Sequence, residues 1–79
     1  MDEPKSALYD GFARVGQALA SGRRVEILDL LAQGERSVDE LAGELGLSEA
    51  NCSQHLQVLK GAGLVASRRA GTRVFYELA

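Results

Sequence analysis

The sequence has 79 residues, of which 46% are hydrophobic and 25% charged, and its formal net charge at pH 7 is −2. This length suits one small domain over residues 1–79, and no apolar run approaches the roughly 18 residues that a membrane span requires. One cysteine excludes an internal disulfide, and one cysteine with one histidine falls short of a four-ligand zinc site unless carboxylates contribute. We therefore expect no metal, no cofactor and no membrane. The start of the chain also lacks the pattern of a signal peptide, which predicts a cytoplasmic protein.

Charge is divided unevenly along the chain. Residues 1–46 contain nine acids and five bases, whereas residues 47–79 contain four bases and two acids. A nucleic-acid partner requires a local basic patch rather than a basic protein. The second half could provide that patch, although charges scattered over a solvated surface would give the same counts.

Three helices are predicted in the first half of the chain. The first runs from about residue 7 to residue 20, because apolar residues recur there at steps of three and four. Its apolar stripe consists of Leu8, Phe12, Val15 and Leu19. The second spans residues 23–32, is dense enough in apolar residues to be largely buried, and ends at Gly34. The third begins at a capping box of Ser37 and Glu40 and ends at Gly46, where a left-handed residue is usual.

A fourth helix is predicted over residues 49–60, with Ser48 as its N-cap. One face carries Cys52, Leu56, Leu59 and Gly63 at helical spacing and should pack against the core. The other face is polar and consists of Asn51, Ser53, Gln54 and Gln57. Amide and hydroxyl groups of this kind pair with base edges. The short connection at residues 46–48 makes the third and fourth helices a helix-turn-helix, whose second helix enters the major groove of DNA.

The last segment is typical of a β-hairpin. Residues 65–69 alternate between the two faces of a strand, Ala70 and Gly71 suit a turn, and residues 72–78 are rich in β-branched and aromatic types. Three arginines near the tip could lie along a phosphate backbone. They are Arg68, Arg69 and Arg73. The expected fold is mainly α with a β-hairpin, in the order helix, helix, helix, helix, strand, strand, which is a winged helix-turn-helix.

Three segments resemble the winged helix-turn-helix of the ArsR/SmtB transcriptional repressors. They are residues 41–48, 53–65 and 68–76, and residues 23–28 look like the second helix of that family. The resemblance implies a dimer that binds operator DNA and leaves it when an inducer is sensed. It also implies a final helix after Ala79 that builds much of the dimer interface. The chain could therefore be the DNA-binding part of a longer protein.

The sensing residues of that family are not matched here. Where the resemblance places the paired thiolates of the third helix, this chain has Ser37 and Asp39, and Asp29 stands where sulfide sensors carry a cysteine. Hard oxygen ligands do not suit soft metal ions. We expect no sensing of zinc, cadmium or arsenite at this place. A homodimer should form weakly without the final helix, and mainly through the stripe of Leu8, Phe12, Val15 and Leu19.

The leading functional interpretation is a sequence-specific DNA-binding regulator, a repressor that uses the helix at 49–60 and the wing at 65–78 on double-stranded DNA. The candidate DNA-binding residues are Ser48, Asn51, Ser53, Gln54, His55, Gln57, Lys60, Arg68, Arg69 and Arg73. Within this set, Asn51, Ser53, Gln54 and Gln57 are assigned to bases, and Lys60 and the three arginines to phosphates. His55 could instead pack at the edge of the helix or bond a backbone group. Plain solvation is the alternative for the polar and basic residues.

A different class of function is also compatible with the sequence. Winged helices serve as protein-interaction modules without specific DNA binding, and the acidic first half could be such a docking face. Catalysis is not expected, because no acid–base or metal constellation is present and Cys52 should be an inert buried thiol. Retardation of duplex DNA at low salt would distinguish the two interpretations.

Overall fold

The structure, a computed structural model, describes residues 3–79 as four helices and three strands. In chain order these are α1 (Glu3–Ala18), α2 (Gly22–Ala32), β1 (Arg36–Ser37), α3 (Val38–Leu45), α4 (Glu49–Gly61), β2 (Val65–Ala70) and β3 (Arg73–Leu78). The strands form one antiparallel sheet in the order β1-β3-β2. The predicted order of four helices followed by a hairpin is confirmed, with one short strand in addition.

The additional strand is β1, which the sequence analysis did not predict. Its two residues pair with β3, Arg36 opposite Tyr76 and Ser37 opposite Phe75. Two residues are too few to show the alternation by which a strand is recognised in a sequence. The pairing ties the beginning of α3 to the β2–β3 hairpin, which we call the wing.

Local signals fix the ends of α3 and α4. Ser37 and Glu40 form the predicted capping box, and Gly46 ends α3 in the left-handed conformation at φ 67°. Ser48 caps α4, since its hydroxyl accepts a hydrogen bond from the backbone N–H of Asn51 at 3.1 Å. Gly63, predicted to extend the packed face of α4, lies beyond the end of the helix at φ 77°. That assignment was wrong because the chain reverses there to enter β2.

The core lies between α2, α3, α4 and the inner side of the wing. Its buried residues are Ala18, Ile27, Leu31, Leu41, Ala42, Leu45, Cys52, Leu56, Leu59, Val65 and Tyr76. The apolar face predicted for α4 is confirmed, because Cys52, Leu56 and Leu59 are fully buried. Burial raises the pKa of the Cys52 thiol above its ordinary value.

The prediction that α2 is largely buried is wrong for part of that helix. Ile27 and Leu31 are buried, but Val25 is 47% exposed. A helix at the surface of a small domain buries one stripe only, and Val25 lies outside that stripe.

The first helix begins and ends earlier than the predicted range of residues 7–20. It ends at Ala18, and Leu19 lies in the turn that follows, where its N–H still bonds the carbonyl of Val15 at 3.0 Å. Among the described residues of α1, Ala18 alone belongs to the buried core. No helix within residues 3–79 has both the length and the hydropathy of a membrane span.

Candidate nucleic-acid interface

The polar side of α4 is presented to solvent next to the wing. Asn51 and Gln54 are exposed, and Ser53 is half-buried. The turn at Gly46 and the Ser48 cap set the direction in which this helix leaves α3. The structure therefore brings the predicted base-contacting residues of the helix to one accessible side.

Gln57 has a partner inside the protein. Its side-chain amide donates a hydrogen bond to the hydroxyl of Tyr76 at 3.1 Å, while the residue as a whole stays exposed. Tyr76 is only 3% exposed, so this bond satisfies a buried phenol. Gln57 consequently has one amide N–H already engaged with the wing.

A groove runs between α4 and the wing, and we call it the α4–wing groove. It encloses about 310 Å³ and is lined by Val38, Ser53, Gln57, Lys60, Ser67, Arg69, Val74 and Tyr76. Lys60 donates to the hydroxyl of Ser67 at 2.8 Å, which holds its ammonium group against the wing. The side chain of Arg69 is exposed and forms no hydrogen bond or ion pair with any residue from 3 to 79. Two positive charges therefore line this groove without a carboxylate among its residues.

Arg68, predicted to contact phosphate, is bound to a carboxylate. Its guanidinium donates two hydrogen bonds to Glu35, at 2.8 and 2.7 Å, and lies over the ring of Phe75 at 4.7 Å. The bidentate geometry is the strong form of this pairing. The hydrogen bonds from Arg68 hold the pKa of Glu35 below its ordinary value.

Arg73 is also held from within. Its guanidinium donates to the Ser37 hydroxyl at 2.7 Å and to Asp39 at 3.4 Å, and it lies 5.0 Å from the ring centre of Phe75. Phe75 thus contacts both guanidinium groups of the wing tip. On this side a second groove of about 320 Å³ includes Asp39 and Glu49 beside Arg73, so it is less favourable to phosphate than the α4–wing groove.

His55 has a partner that the sequence analysis did not anticipate. Its ring nitrogen Nδ1 lies 3.2 Å from a guanidinium nitrogen of Arg24, a residue of α2. The prediction of a packed or bonded position at the edge of α4 is right in kind, but the partner is a side chain and not the backbone.

The predicted dimer stripe is largely accessible to solvent. Leu8 is 52% exposed, Phe12 64% and Leu19 45%, while Val15 is half-buried. Tyr9, at 58%, adds to the same exposed helix. So much exposed apolar surface on one helix of a small protein indicates a surface that binds another protein chain.

Ser37, one of the two positions where the family resemblance places thiolates, is engaged in hydrogen bonds. The Ser37 hydroxyl is fully buried, accepts from the backbone N–H of Glu40 at 3.2 Å and donates to the Glu40 carboxylate at 3.0 Å. Among residues 3–79, no group of three or more histidine, cysteine, aspartate or glutamate residues is placed to hold a metal ion. Ser37 is thus part of the α3 cap, and its hydroxyl also accepts the hydrogen bond from Arg73 of the wing.

Comparison with known proteins agrees with this geometry. The model of the bacterial regulatory proteins of the arsR family matches residues 21–67. The chain belongs to the ArsR family. It carries the winged helix-turn-helix domain of these transcriptional regulators.

Two relatives and one solved structure show the extent of the similarity. The HTH-type transcriptional regulator Rv0324 of Mycobacterium tuberculosis is 56% identical over 75 residues, which are 95% of this chain and 33% of that protein. Rv2034 of the same organism is 52% identical over 65 residues, 82% of this chain and 61% of that protein. The homodimeric winged helix-turn-helix DNA-binding domain of Mb0332 from Mycobacterium bovis, a possible ArsR-family regulator, superposes with a TM-score of 0.93 at 53% identity and covers all of this chain and 73% of that one. The chain thus spans between a third and three fifths of the two full-length relatives.

The sequence analysis did not predict two residues that contact the candidate interface residues. Glu35, which binds Arg68, lies in a loop with no periodic pattern. Arg24 gave one signal, because it precedes Ile27 and Leu31 by three and seven residues and so lies on the buried stripe of α2. A charged residue on an apolar stripe needs partners, and here they are the carbonyls of Gln17 and Ala18 and the ring of His55.

Proposed function

We propose that this ArsR-family domain binds operator DNA sequence-specifically as a homodimer and represses transcription. In this proposal α4 enters the major groove and the wing lies along the phosphate backbone. The single observation that carries it is the α4–wing groove, in which Lys60 and Arg69 lie beside the exposed polar side of α4. The arrangement places donors for phosphate next to donors and acceptors for base edges.

The structure supports different roles for the candidate residues. Asn51 and Gln54 are exposed and have their side chains available for bases. Arg69 and Lys60 are the best-placed phosphate contacts. Arg68 and Arg73 already bind Glu35, Ser37 and Asp39, so their main proposed role is to hold the wing in place.

The proposed homodimer forms through α1. Its exposed stripe of Leu8, Phe12 and Leu19 supports this, as does the homodimeric state named for the similar domain of Mb0332. Absence of catalysis and a cytoplasmic location remain proposals, supported by the relatives being named as transcriptional regulators. The expectation that the third-helix position senses no soft metal also remains a prediction.

The test compares two variants on two duplexes. A duplex that the protein enriches from a random library serves as the operator, and a scrambled duplex of the same length serves as the reference. Gln54→Ala should cost about 1–3 kcal/mol on the enriched duplex and much less on the scrambled one, because a base contact is lost. Arg69→Ala should weaken binding to both alike and lower the salt slope by about one unit, because a phosphate contact is lost.

Two outcomes would contradict this proposal. Equal losses for Gln54→Ala on both duplexes would make Gln54 a backbone contact. No retardation of any duplex at low salt would favour the protein-interaction module, for which the exposed stripe of α1 would be the docking surface.

A further inference from the structure

The side chain of Arg24 joins three helices. From α2 it donates to the carbonyl of Ala18 at 2.8 Å and to that of Gln17 at 3.0 Å, both in the last turn of α1. A third guanidinium nitrogen lies 3.2 Å from Nδ1 of His55 on α4. Its backbone N–H is bonded to the Ser21 cap at 3.3 Å, so the base of the side chain is fixed as well.

The chemistry of the pair determines the state of His55. Arginine has donors only and stays protonated, so Nδ1 of His55 must accept. In the neutral ring the hydrogen then resides on Nε2. Lysine could not replace Arg24, because a single ammonium nitrogen cannot reach three acceptors that the planar guanidinium spans with three nitrogens.

Arg24 contacts two helices that have different proposed roles. The carbonyls of Gln17 and Ala18 belong to the end of a helix, where four carbonyls lack partners in the helix itself. That helix is the proposed dimer helix, and Ala18 is its one described residue in the core. His55 follows directly after Gln54, the proposed base contact. Arg24 therefore connects the end of the dimer helix to the middle of the recognition helix.

We propose that Arg24 and His55 are a positioning pair that fixes the angle of α4 relative to α1, and hence the placement of the two α4 helices of a dimer on the two halves of an operator. This inference rests on the proposed dimeric DNA binding. In this inference His55 holds α4 in position and does not bind phosphate, because its Nδ1 is engaged and the residue is half-buried. The pair acts through Gln54 and its neighbours and touches no base.

The experiment separates positioning from contact. The protein is titrated with the enriched duplex and with a half-site duplex, in which one half of that sequence is scrambled. Arg24→Lys and His55→Ala should each weaken binding to the full duplex about 10-fold, the size of a coupling between contacting residues. Binding to the half-site duplex should change by less than about twofold, since one α4 then has no partner helix to be aligned with. The double variant should be no weaker than either single variant.

His55→Asn is the matched control. The oxygen of the asparagine side chain offers an acceptor near the place of Nδ1. The asparagine has no donor in the place of the Nε2 hydrogen. It should bind the full duplex within about twofold of the unmodified protein. The ring nitrogens of His55, followed by NMR, give a readout without DNA: Nδ1 should be unprotonated in the unmodified protein, and the preference between the two tautomers should be lost in Arg24→Lys. Circular dichroism confirms that each variant is folded.

Several results would contradict the proposed role of the pair. If His55→Asn binds as weakly as His55→Ala, and the affinity falls equally on both duplexes, then His55 is a direct phosphate contact. Additive losses in the double variant would show that the two residues act independently. A hydrogen on Nδ1 in the unmodified protein would exclude the contact itself. If the unmodified protein does not distinguish the enriched duplex from a scrambled one, the proposed function fails, and the NMR result then shows whether the contact exists.

Discussion

At the scale of single residues, Ser37 performs three tasks with one hydroxyl group. It caps α3, bonds the Glu40 carboxylate and accepts from Arg73. The backbone N–H of Ser37 also donates to Glu40 at 2.8 Å. Removing the hydroxyl therefore affects both the start of α3 and the anchor of the wing.

The Glu40 carboxylate should make the free energy of unfolding depend on pH in the acid range. The backbone N–H of Ser37 is the main cause that holds the pKa of Glu40 below its usual value of 4.5, and the Ser37 hydroxyl is the next. A lowered pKa stabilises the folded state above about pH 4.5, and this contribution is lost as the pH falls through the folded-state value. We expect Glu40→Gln to be less stable than the unmodified protein at pH 7 and to lose less stability on acidification.

Urea unfolding at a series of pH values measures this effect. Glu26→Gln removes a carboxylate that accepts a hydrogen bond from Arg23 on the exposed side of α2, and it serves as the charge-matched control. Ser37→Ala should cost about 0.5–2 kcal/mol at pH 7 as a lost helix cap. If the unfolding free energies of Glu40→Gln and of the unmodified protein fall in parallel as the pH is lowered, the Glu40 carboxylate is not the cause of the acid dependence.

At the scale of elements, the wing is anchored to the segment that precedes α3 by strand pairing and by two arginines, of which Arg73 donates to the Ser37 hydroxyl at 2.7 Å. Strand β1 pairs with β3, and Arg68 of β2 binds Glu35 in the adjacent loop. The acid that anchors the wing also neutralises one of its positive charges. Anchoring and phosphate binding therefore compete for Arg68.

Glu35→Gln should resolve this competition in favour of DNA. Without the carboxylate, Arg68 is released and one negative charge is removed, so affinity should rise for every duplex and the salt slope should steepen by up to about one unit. Glu77→Gln removes the same charge from β3 without freeing an arginine, and it should leave the slope unchanged. Salt-dependent fluorescence titrations measure both variants. A weaker Glu35→Gln variant would mean that the ordered wing contributes more than a freed arginine.

The elements that the sequence predicts best are those whose signals are local. The α3 cap, the left-handed Gly46 and the Ser48 cap each depend on residues within one turn, and all three are confirmed. Strand β1 could not be predicted, because it exists only through pairing with residues about 40 positions later. The side-chain partners of Arg24 and Arg68, which are His55 and Glu35, are 31 and 33 residues away, so no local pattern could assign them.

At the scale of the whole molecule, the fold is elongated, with principal extents of 46 × 26 × 22 Å. Most of α1 lies outside the core and presents Leu8, Tyr9 and Phe12 to solvent. An exposed apolar face of this kind is typical of a surface that binds another protein chain.

Leu8→Asp should therefore disrupt self-association without unfolding the domain. A charge in the centre of an apolar interface should weaken the dimer at least about 10-fold. Val25→Asp introduces the same charge at an exposed apolar position of α2 and should leave the dimer unchanged. Sedimentation over a range of concentrations measures both. A monomer at every concentration up to millimolar, or a dimer indifferent to Leu8→Asp, would contradict assembly through α1.

The buried thiol of α4 has a practical consequence. Cys52 is fully buried and its pKa is raised, so a disulfide reagent can reach it only when α4 has separated from the core. The rate at which the Cys52 thiol is modified therefore measures how often α4 separates from the core, without any added label. Bound operator DNA should lower this rate of modification, because α4 cannot separate from the core and remain in the groove of the DNA.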